Sequence, residues 1–353
     1  MAIQDSHLIP ATASIREAFA KLNLLSGGNM TLFVVNNLSE KVLVGSLTDG
    51  DLRRAIISEA TLDIPVDRIC HHDCIRIADS AARYDTIVNA RNRGIYLLPV
   101  VDPADGHILD LLDLKNLKAE LPLDAVLMAG GKGERLRPLT LDTPKPLLSV
   151  GDKAIIDYNI DELFANGIDN IFVTVNYLKE SIIAHFADPR FDNRVKCIAE
   201  PKRLGTMGSL ALVEGLKEDN LIVMNSDLLT SLNFEKMYLQ HSSSGAALTM
   251  GVIPYSVSIP FAIISTEGRK IKGLTEKPTY NYFANAGVYM MRRDIVDRIP
   301  KGEYLDAPDL IDLLISDGEL VEYFPIEGIW IDIGSPDDYR YANELMKLKG
   351  LSH

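Results

Sequence analysis

The chain has 353 residues, with 36 Lys or Arg against 49 Asp or Glu, so its formal net charge is −13. At roughly 100–200 residues per domain this length predicts two or three domains, and 47% hydrophobic with 24% charged residues is typical of a globular protein. The acidic balance argues against a nucleic-acid partner. Three cysteines, no signal-peptide pattern and no apolar run of the ~20 residues that span a bilayer predict a cytoplasmic protein without a membrane partner.

One unit of helix, strand, strand and helix start occurs twice in residues 1–118. The first copy predicts a helix from Ser14, strands at 31–35 and 42–47 and a helix from Asp49, and the second predicts a helix at 79–92, strands at 96–101 and 106–111 and a helix from Asp113. Aligning Asp51 with Asp113 gives a period of 113 − 51 = 62 residues, which is too long for a solenoid repeat. We therefore predict an α+β pair of small units.

The sequence Gly45-Ser-Leu-Thr48-Asp-Gly-Asp51-Leu resembles the end of a cystathionine-β-synthase (CBS) motif, and the tandem resembles a CBS pair. The resemblance implies that Thr48 and Asp51 hold the ribose and phosphate of an adenine nucleotide. The second copy has Asp110 at the position of the Thr, and a carboxylate there would repel phosphate. Two interpretations of the pair stay open: it has one regulatory nucleotide site, or it serves only packing and dimerisation. CBS pairs commonly dimerise, so we expect a homo-oligomer.

A run of metal-binding residue types, Cys70-His71-His72-Asp73-Cys74, lies between the two copies. Thiolate and imidazole are ligands that zinc prefers. The spacing matches no standard pair of zinc-ligand knuckles, however, and the run lies in a linker. From the sequence alone we therefore interpret it as a solvated loop.

From residue 121 onwards strands alternate with helices. The pattern predicts strands at 124–129, 170–175, 195–199 and 221–225, and helices at 155–166, 181–186, 208–216 and 335–349. This alternation predicts an α/β domain over 121–353, with a Rossmann-like, mostly parallel sheet covered by helices on both faces. The residues after Ala129, Ala199 and Asn225 should then meet at one crevice, beyond the carboxyl ends of the strands.

The first strand-end loop predicts a phosphate site. It reads Gly130-Gly-Lys-Gly-Glu-Arg135-Leu-Arg-Pro-Leu-Thr140, followed by Thr143-Pro-Lys145-Pro-Leu-Leu. Glycines let backbone N–H groups approach phosphate oxygens, and the side chains of Arg135 and Lys145 add positive charge. The loop is neither a Walker loop, which ends in Gly-Lys-Ser/Thr, nor a dinucleotide fingerprint, which needs Gly where Leu136 stands.

Together with later motifs, this loop resembles the sugar-1-phosphate nucleotidyltransferases over essentially all of 121–353. The later motifs are Glu200-Pro with Leu204-Gly-Thr-Met-Gly, Asn225-Ser-Asp227, Thr275-Glu-Lys-Pro, Asn285-Ala-Gly and Trp330-Ile-Asp332-Ile-Gly. Taken singly, each residue has an ordinary structural interpretation: Asp227 could cap a turn, and Lys277 could be a solvated lysine. Five motifs in the family's order favour the functional interpretation.

The resemblance implies specific roles. Arg135 and Lys145 would hold the triphosphate and the leaving pyrophosphate, and Asp227 and Asp332 would hold Mg²⁺. Glu276, Lys277 and Asn285 would bind the sugar phosphate. The residues that would bind the nucleotide are Ala129, Gly130, Gly131, Gly133, Glu200, Gly205 and Thr206. The sugar phosphate is already ionised at neutral pH, so no general base is required. Because CBS pairs precede this domain in bacterial guanylyltransferases of surface-sugar pathways, we expect GTP and glucosamine or mannose 1-phosphate as substrates. UTP, dTTP or CTP, and a non-catalytic nucleotide sensor, remain the alternatives.

Overall fold

The computed structural model describes the chain in five stretches, 5–25, 29–58, 61–78, 83–115 and 117–350. The chain divides into two compact units, residues 1–120 and 121–353, and each is described by itself. Within these described stretches, no helix is long and apolar enough to cross a membrane.

The N-terminal unit is an α+β fold with one three-stranded and one two-stranded sheet. Its elements are β1 (Leu8–Pro10), α1 (Ile15–Leu24), β2 (Thr31–Val35), β3 (Leu43–Thr48), α2 (Asp49–Ile57), α3 (Arg83–Asn92), β4 (Leu97–Val101) and β5 (Ile108–Asp113). Strand β2 pairs parallel to β1 and antiparallel to β3, and β4 pairs antiparallel to β5. Residues 79–82 of the helix predicted at 79–92 lie outside the described residues, and α3 covers the remainder.

The two hairpins of this unit have the same register. Thr31 opposes Thr48 at the end of the β2–β3 pair, and Leu97 opposes Asp113 at the end of the β4–β5 pair. Each pair has an irregularity at the same distance from that end, between Val34 and Val35 and between Val100 and Val101. The hairpins therefore repeat with offsets of 97 − 31 = 66 and 113 − 48 = 65 residues, rather than the expected 62.

This register corrects two expectations about the second copy. Asp113, not Asp110, occupies the position of Thr48, because each residue ends its hairpin. The helix predicted from Asp113 does not form in the described part of the chain. Strand β5 ends there, and the buried Leu114 donates its N–H to the carbonyl of Tyr96 at 2.8 Å, so hairpin pairing continues where the helix was expected.

The C-terminal unit is a mixed α/β fold. Its elements are β6 (Leu123–Ala129), β7 (Ser149–Val150), β8 (Lys153–Ala154), α4 (Ile155–Ala165), β9 (Ile171–Val175), α5 (Lys179–Phe186), β10 (Val195–Ala199), α6 (Gly205–Gly208), β11 (Asn220–Asn225), β12 (Leu228–Thr230), α7 (Phe234–Ser244), β13 (Leu248–Ser258), β14 (Ile263–Glu267), β15 (Lys270–Thr275), β16 (Thr279–Arg292), α8 (Asp294–Asp297), α9 (Ala307–Ser316), β17 (Val321–Pro325), β18 (Trp330–Asp332) and α10 (Pro336–Gly350). The predicted strands at 124–129, 170–175, 195–199 and 221–225 are confirmed within one residue at either end.

A seven-stranded sheet organises this unit, in the order β10-β9-β6-β11-β16-β13-β17. The first four strands run parallel, β16 is antiparallel to both of its neighbours, and β17 is parallel to β13. Six of the seven residues of β6 are buried, on both faces of the sheet, and Met128 is partly buried, as expected of a sheet covered on both faces. On one face, Val126 packs in a core cluster with Leu310 and Leu314 of α9. The prediction of a mostly parallel sheet is confirmed.

The helix predicted at 208–216 is wrong in both position and length. The structure has α6 at Gly205–Gly208, then a 3₁₀ turn to Leu212. The backbone N–H groups of Met207 and Gly208 donate to the carbonyl oxygen of Leu305. The start of the turn is therefore bound to the distant segment that contains Leu305. Gly215 has φ +89°, which is incompatible with a right-handed helix.

A buried histidine of α7, His241, contacts polar side chains of two strands. His241 is 1% exposed, and its Nδ1 lies 2.8 Å from Thr249 Oγ1 and its Nε2 3.2 Å from Asn220 Oδ1. Burial lowers the pKa of His241 to about 4, so the ring is neutral at pH 7. Asn220 Oδ1 can only accept, so Nε2 carries the proton and Nδ1 accepts from the Thr249 hydroxyl.

Candidate active site

The carboxyl ends of four parallel strands meet at one edge of the large sheet. Ala129 pairs with Val175, Val175 with Ala199, and Met128 with Asn225. A cavity of about 380 Å³ lies at this edge. The predicted site residues that line it are Ala129, Gly130, Gly131, Arg135, Lys145, Glu200, Gly205, Thr206, Asp227 and Asp332. The topology thus brings together residues from motifs more than 200 positions apart.

The glycine loop is held against a buried acid. A Cβ on Gly130 would lie 2.6 Å from Glu200 Oε1, so any larger residue would force the Glu200 carboxylate to move. Glu200 is 7% exposed, and its other oxygen accepts the N–H of Leu204 at 3.2 Å. Burial raises the pKa of Glu200, and the hydrogen bond from Leu204 opposes this. The backbone of the glycine loop therefore lies directly against the Glu200 side chain in the cavity lining.

The turn that follows Glu200 is fixed by an acid from a distant segment. Thr206 donates to Asp306 Oδ1 from its backbone N–H at 2.9 Å and from its hydroxyl at 3.3 Å. Gly205 has φ +79°, and a Cβ there would lie 2.5 Å from the carbonyl oxygen of Leu305. The positive φ and the close carbonyl oxygen therefore require glycine at position 205, next to Thr206 at the cavity.

The two predicted metal-binding acids lie side by side. Strand β12 pairs antiparallel with β18, with Leu228 opposite Asp332, so Asp227 and Asp332 lie at the same end of the pair. Lys145 Nζ forms a close ion pair with Asp227 and lies 3.5 Å from Asp332 Oδ1. Asp227 Oδ1 and Asp332 Oδ1 are buried without a hydrogen-bond partner in the structure. Burial and the Asp227 charge raise the pKa of Asp332, and Lys145 opposes them.

Arg135 reaches the same cavity from the glycine loop. A Cβ on Gly334 would lie 3.1 Å from a terminal guanidinium nitrogen of Arg135, so the backbone after Asp332 packs directly against this cation. Arg135 and Lys145 therefore place two positive charges beside two carboxylates. Such an arrangement suits a phosphate ligand that carries a divalent ion.

Four of the site residues predicted in the C-terminal unit are not among those that line the cavity. Gly133 adopts a left-handed conformation (φ +59°) and accepts the Thr140 hydroxyl at 2.8 Å, so it shapes the loop. Glu276 and Lys277 are exposed at the turn between β15 and β16. Asn285 uses its amide locally, accepting from Gly287 N and donating to the hydroxyl of Tyr289. The sugar-phosphate role of Glu276, Lys277 and Asn285 stays a prediction.

Two charged residues that line the cavity, Arg203 and Asp306, were missed by the sequence interpretation. Arg203 lies in the same turn as Gly205, and its positive charge beside a predicted nucleotide loop was a usable signal. Asp306 fixes Thr206 from a position 100 residues away, and nothing in its local sequence indicates that contact.

The sequence pattern of the nucleotidyl transferase family matches residues 124–348, well over half of the chain. This chain belongs to the nucleotidyl transferase family. A mannose-1-phosphate guanylyltransferase of Mycobacterium tuberculosis is 31% identical over 225 residues, and a mannose-1-phosphate guanyltransferase of Aspergillus fumigatus is 30% identical over 227. Each match covers 62% of this chain and 62% of the relative, so the chain spans less than two thirds of the length of these relatives.

The fold of this nucleotidyl transferase is also found among solved structures. A candidate glucose-1-phosphate thymidylyltransferase from Bacillus anthracis, solved with sucrose, matches with a TM-score of 0.51 and 22% identity. The match covers 63% of this chain and 94% of that one. It supports the fold alone.

The donor set of the nucleotidyl transferase site fits a magnesium ion. Mg²⁺ prefers one or two carboxylates completed by phosphate oxygens and water. Asp227 and Asp332 each have a buried oxygen without a hydrogen-bond partner, which a divalent cation would satisfy. Lys145 occupies the space between them and partly neutralises the same charge.

The N-terminal unit has a separate cavity of about 560 Å³. Thr48 and Asp51 both line it, and they also form the capping box of α2: Asp51 Oδ2 accepts from the backbone N–H and the hydroxyl of Thr48. Arg54 pairs with the second oxygen of Asp51 at 2.5 Å. The capping role of this pair is visible in the structure, whereas its ligand role stays a prediction.

Proposed function

We propose that the C-terminal unit transfers a nucleotidyl group from a nucleoside triphosphate to a hexose 1-phosphate. An oxygen of the sugar phosphate attacks the α-phosphorus, a new P–O bond forms, and the bond to the β-phosphate breaks. The products are a nucleoside-diphosphate sugar and pyrophosphate. Magnesium held by Asp227 and Asp332 would neutralise charge on the phosphate oxygens.

The observation that carries this proposal is the grouping of charges at the strand ends. One cavity contains a glycine loop, three cationic side chains (Arg135, Lys145 and Arg203) and a pair of acids that share Lys145. The described lining contains no histidine and no serine–histidine pair, as expected of a reaction whose nucleophile is already ionised. Positioning and charge neutralisation are then the main catalytic requirements.

The residues of the chain would divide this work. Backbone groups of Gly130 and Gly131 would bind phosphate oxygens, and Arg135 and Lys145 would stabilise charge on the triphosphate and on the departing pyrophosphate. Gly205 and Thr206 would contact the nucleoside through the turn fixed by Asp306. Lys277 would bind the sugar phosphate from outside the cavity lining.

Among nucleotides we favour GTP, with mannose 1-phosphate or glucosamine 1-phosphate as the acceptor. The support comes from relatives named as guanylyltransferases of mannose 1-phosphate and from the order of the two units. The product would then serve surface-glycan biosynthesis in the cytoplasm. UTP, dTTP and CTP are the competing donors.

Pyrophosphate release tests this proposal. The full chain with Mg²⁺ is assayed with each of the nucleotides above against both sugar phosphates. We expect release that needs both substrates and is highest with GTP. Asp227→Ala should abolish it, whereas Asp142→Ala, a change at an exposed aspartate of the glycine-loop segment, should leave it intact. Release that survives Asp227→Ala would refute the metal assignment, and preference for another nucleotide would refute the choice of GTP.

For the N-terminal unit we propose a CBS-type pair that serves regulation or oligomerisation. Its support is the repeated hairpin register and the cavity that contains Thr48 and Asp51. A thermal-shift titration with AMP, ATP and GTP distinguishes the two roles, since no shift would favour packing alone. Light scattering tests the expected homo-oligomer. A non-catalytic sensor would bind nucleotide in these titrations and release no pyrophosphate.

A further inference from the structure

A loop of the N-terminal unit, residues 66–72, is fixed against β3. His71 and Ser46 exchange backbone hydrogen bonds of 2.8 and 3.0 Å, and Cys70 donates its N–H to Val66 at 2.9 Å. His71 and His72 are exposed, as the solvated-loop interpretation expects, but Cys70 is only 8% exposed. The backbone is therefore ordered by pairing, and it holds its side chains in defined places.

Three different metal-ligand types converge in this loop. A carboxylate oxygen of Asp67, the sulfur of Cys70 and a ring nitrogen of His72 all lie within 4.8 Å of one another. Cys70 Sγ is 3.8 Å from His72 Nε2. A tetrahedral zinc ion, with Zn–S of ~2.3 Å and Zn–N of ~2.05 Å, needs a sulfur–nitrogen separation of about this size. Because Sγ is equally near to both ring nitrogens, the exposed His72 ring must turn to direct its Nε2 lone pair at an ion bound by Cys70.

The surroundings favour the tautomer that a ligand needs. His72 Nδ1 lies 3.2 Å from the carbonyl oxygen of Val44 and donates to it, which leaves the Nε2 lone pair for a metal. Cys70 Sγ is equally near to Nδ1, at 3.8 Å, but that nitrogen is engaged. A Cβ on Gly45 would lie 3.0 Å from the sulfur and 2.7 Å from the carbonyl oxygen of His71. Glycine at this position therefore lets the loop approach β3.

We propose that Asp67, Cys70 and His72 form a zinc site with three protein ligands and a fourth position open to solvent. Thiolate and imidazole select zinc over magnesium, whereas the acids Asp227 and Asp332 offer only oxygen. The two sites are therefore chemically distinct. A bound ion would tie the loop at residues 66–72 together next to the N-terminal cavity, which Cys70 also lines.

The test uses the full chain, stripped with a chelator and kept in excess Mg²⁺, and titrated with zinc against a chromophoric competitor. We expect one zinc per chain. His72→Ala should weaken zinc binding by more than the about 10–100-fold typical of losing an outer-shell partner. His71→Ala, at a neighbour in the same Cys/His run that is not in the ligand set, should bind zinc like the parent. Cobalt in place of zinc should give a thiolate charge-transfer band that Cys70→Ser removes.

Three results would overturn the site: no stoichiometric zinc in the parent chain, equal losses in His71→Ala and His72→Ala, or a cobalt complex without the thiolate band. Because Cys70 is buried, Cys70→Ser could fail to fold. His72 is exposed, so His72→Ala and its matched control carry the test in that event.

Discussion

Replacing Lys145 with Met should expose the repulsion between the two acids of the active site. Lys145 Nζ contacts both Asp227 and Asp332, whose side chains are 20% and 39% exposed. Removing one partner of a fully buried ion pair costs about 3–5 kcal/mol. Since these acids are partly solvated, we expect a loss of about 2–3 kcal/mol in the free energy of unfolding of the C-terminal unit without divalent ions.

Magnesium should reverse this loss. In the parent chain an ion competes with Lys145 for Asp227, whereas in Lys145→Met it meets two unpaired carboxylates. An ion at 100 times its Kd stabilises the folded state by about 2.7 kcal/mol. The variant should therefore gain more stability from Mg²⁺ than the parent, although its turnover should fall because the triphosphate loses a cation.

Thermal melts in chelator and in saturating Mg²⁺ measure both effects. At about 2–4 °C per kcal/mol for a unit of this size, Lys145→Met should melt about 5–10 °C lower in chelator. Lys132→Met, at an exposed lysine of the same loop outside the cavity lining, is the matched control and should melt like the parent. Unchanged melting of Lys145→Met in chelator, or equal Mg²⁺ shifts in variant and parent, would refute the reasoning.

Three further changes test the fold of the C-terminal unit. Gly130→Ala places a Cβ 2.6 Å from Glu200 Oε1 and should cost about 1–3 kcal/mol in denaturant unfolding, whereas Gly131→Ala meets nothing within 4 Å and should cost less; equal losses would contradict the packing described. Gly205→Ala puts a side chain at φ +79° and 2.5 Å from a backbone carbonyl oxygen, so the free energy of unfolding should fall by at least ~1–2 kcal/mol. Nucleotide binding measured by calorimetry should weaken too, and unchanged binding would show that this turn does not contact the nucleotide. His241 has a folded pKa of about 4, below its unfolded value of ~6.5, so the stability it contributes is complete above pH 6.5 and lost as pH falls towards 4, by about 3 kcal/mol. His241→Gln should flatten that part of the pH–stability curve, and a variant with the parent's slope would contradict the assignment.

Four of the seven strands of the large sheet were predicted, because they are short apolar runs that end in glycine or polar residues; β13, β16 and β17 were not predicted. Parallel strands end at one edge, so the meeting of Ala129, Ala199 and Asn225 follows from topology. The failure at 208–216 has a physical cause: Met207 and Gly208 bond to Leu305, and local helical spacing cannot reveal such a contact.

Contacts between distant residues limited the prediction of the site. Asp227 and Asp332 could be selected by motif, but their adjacency depends on the pairing of β12 with β18, which no local spacing specifies. Asp306 was missed for the same reason. In the N-terminal unit a three-residue error in aligning the repeats placed Asp110 where the strand register places Asp113.

The most direct test of the proposed reaction follows the α-phosphate. The full chain is incubated with Mg²⁺, GTP labelled at the α-phosphate, and mannose or glucosamine 1-phosphate, and the products are separated. Nucleotidyl transfer predicts that the label enters a GDP-sugar while unlabelled pyrophosphate appears in equal amount. Label found only in GMP or GDP, or no labelled sugar nucleotide with any nucleoside triphosphate tested in the same way, would contradict the account.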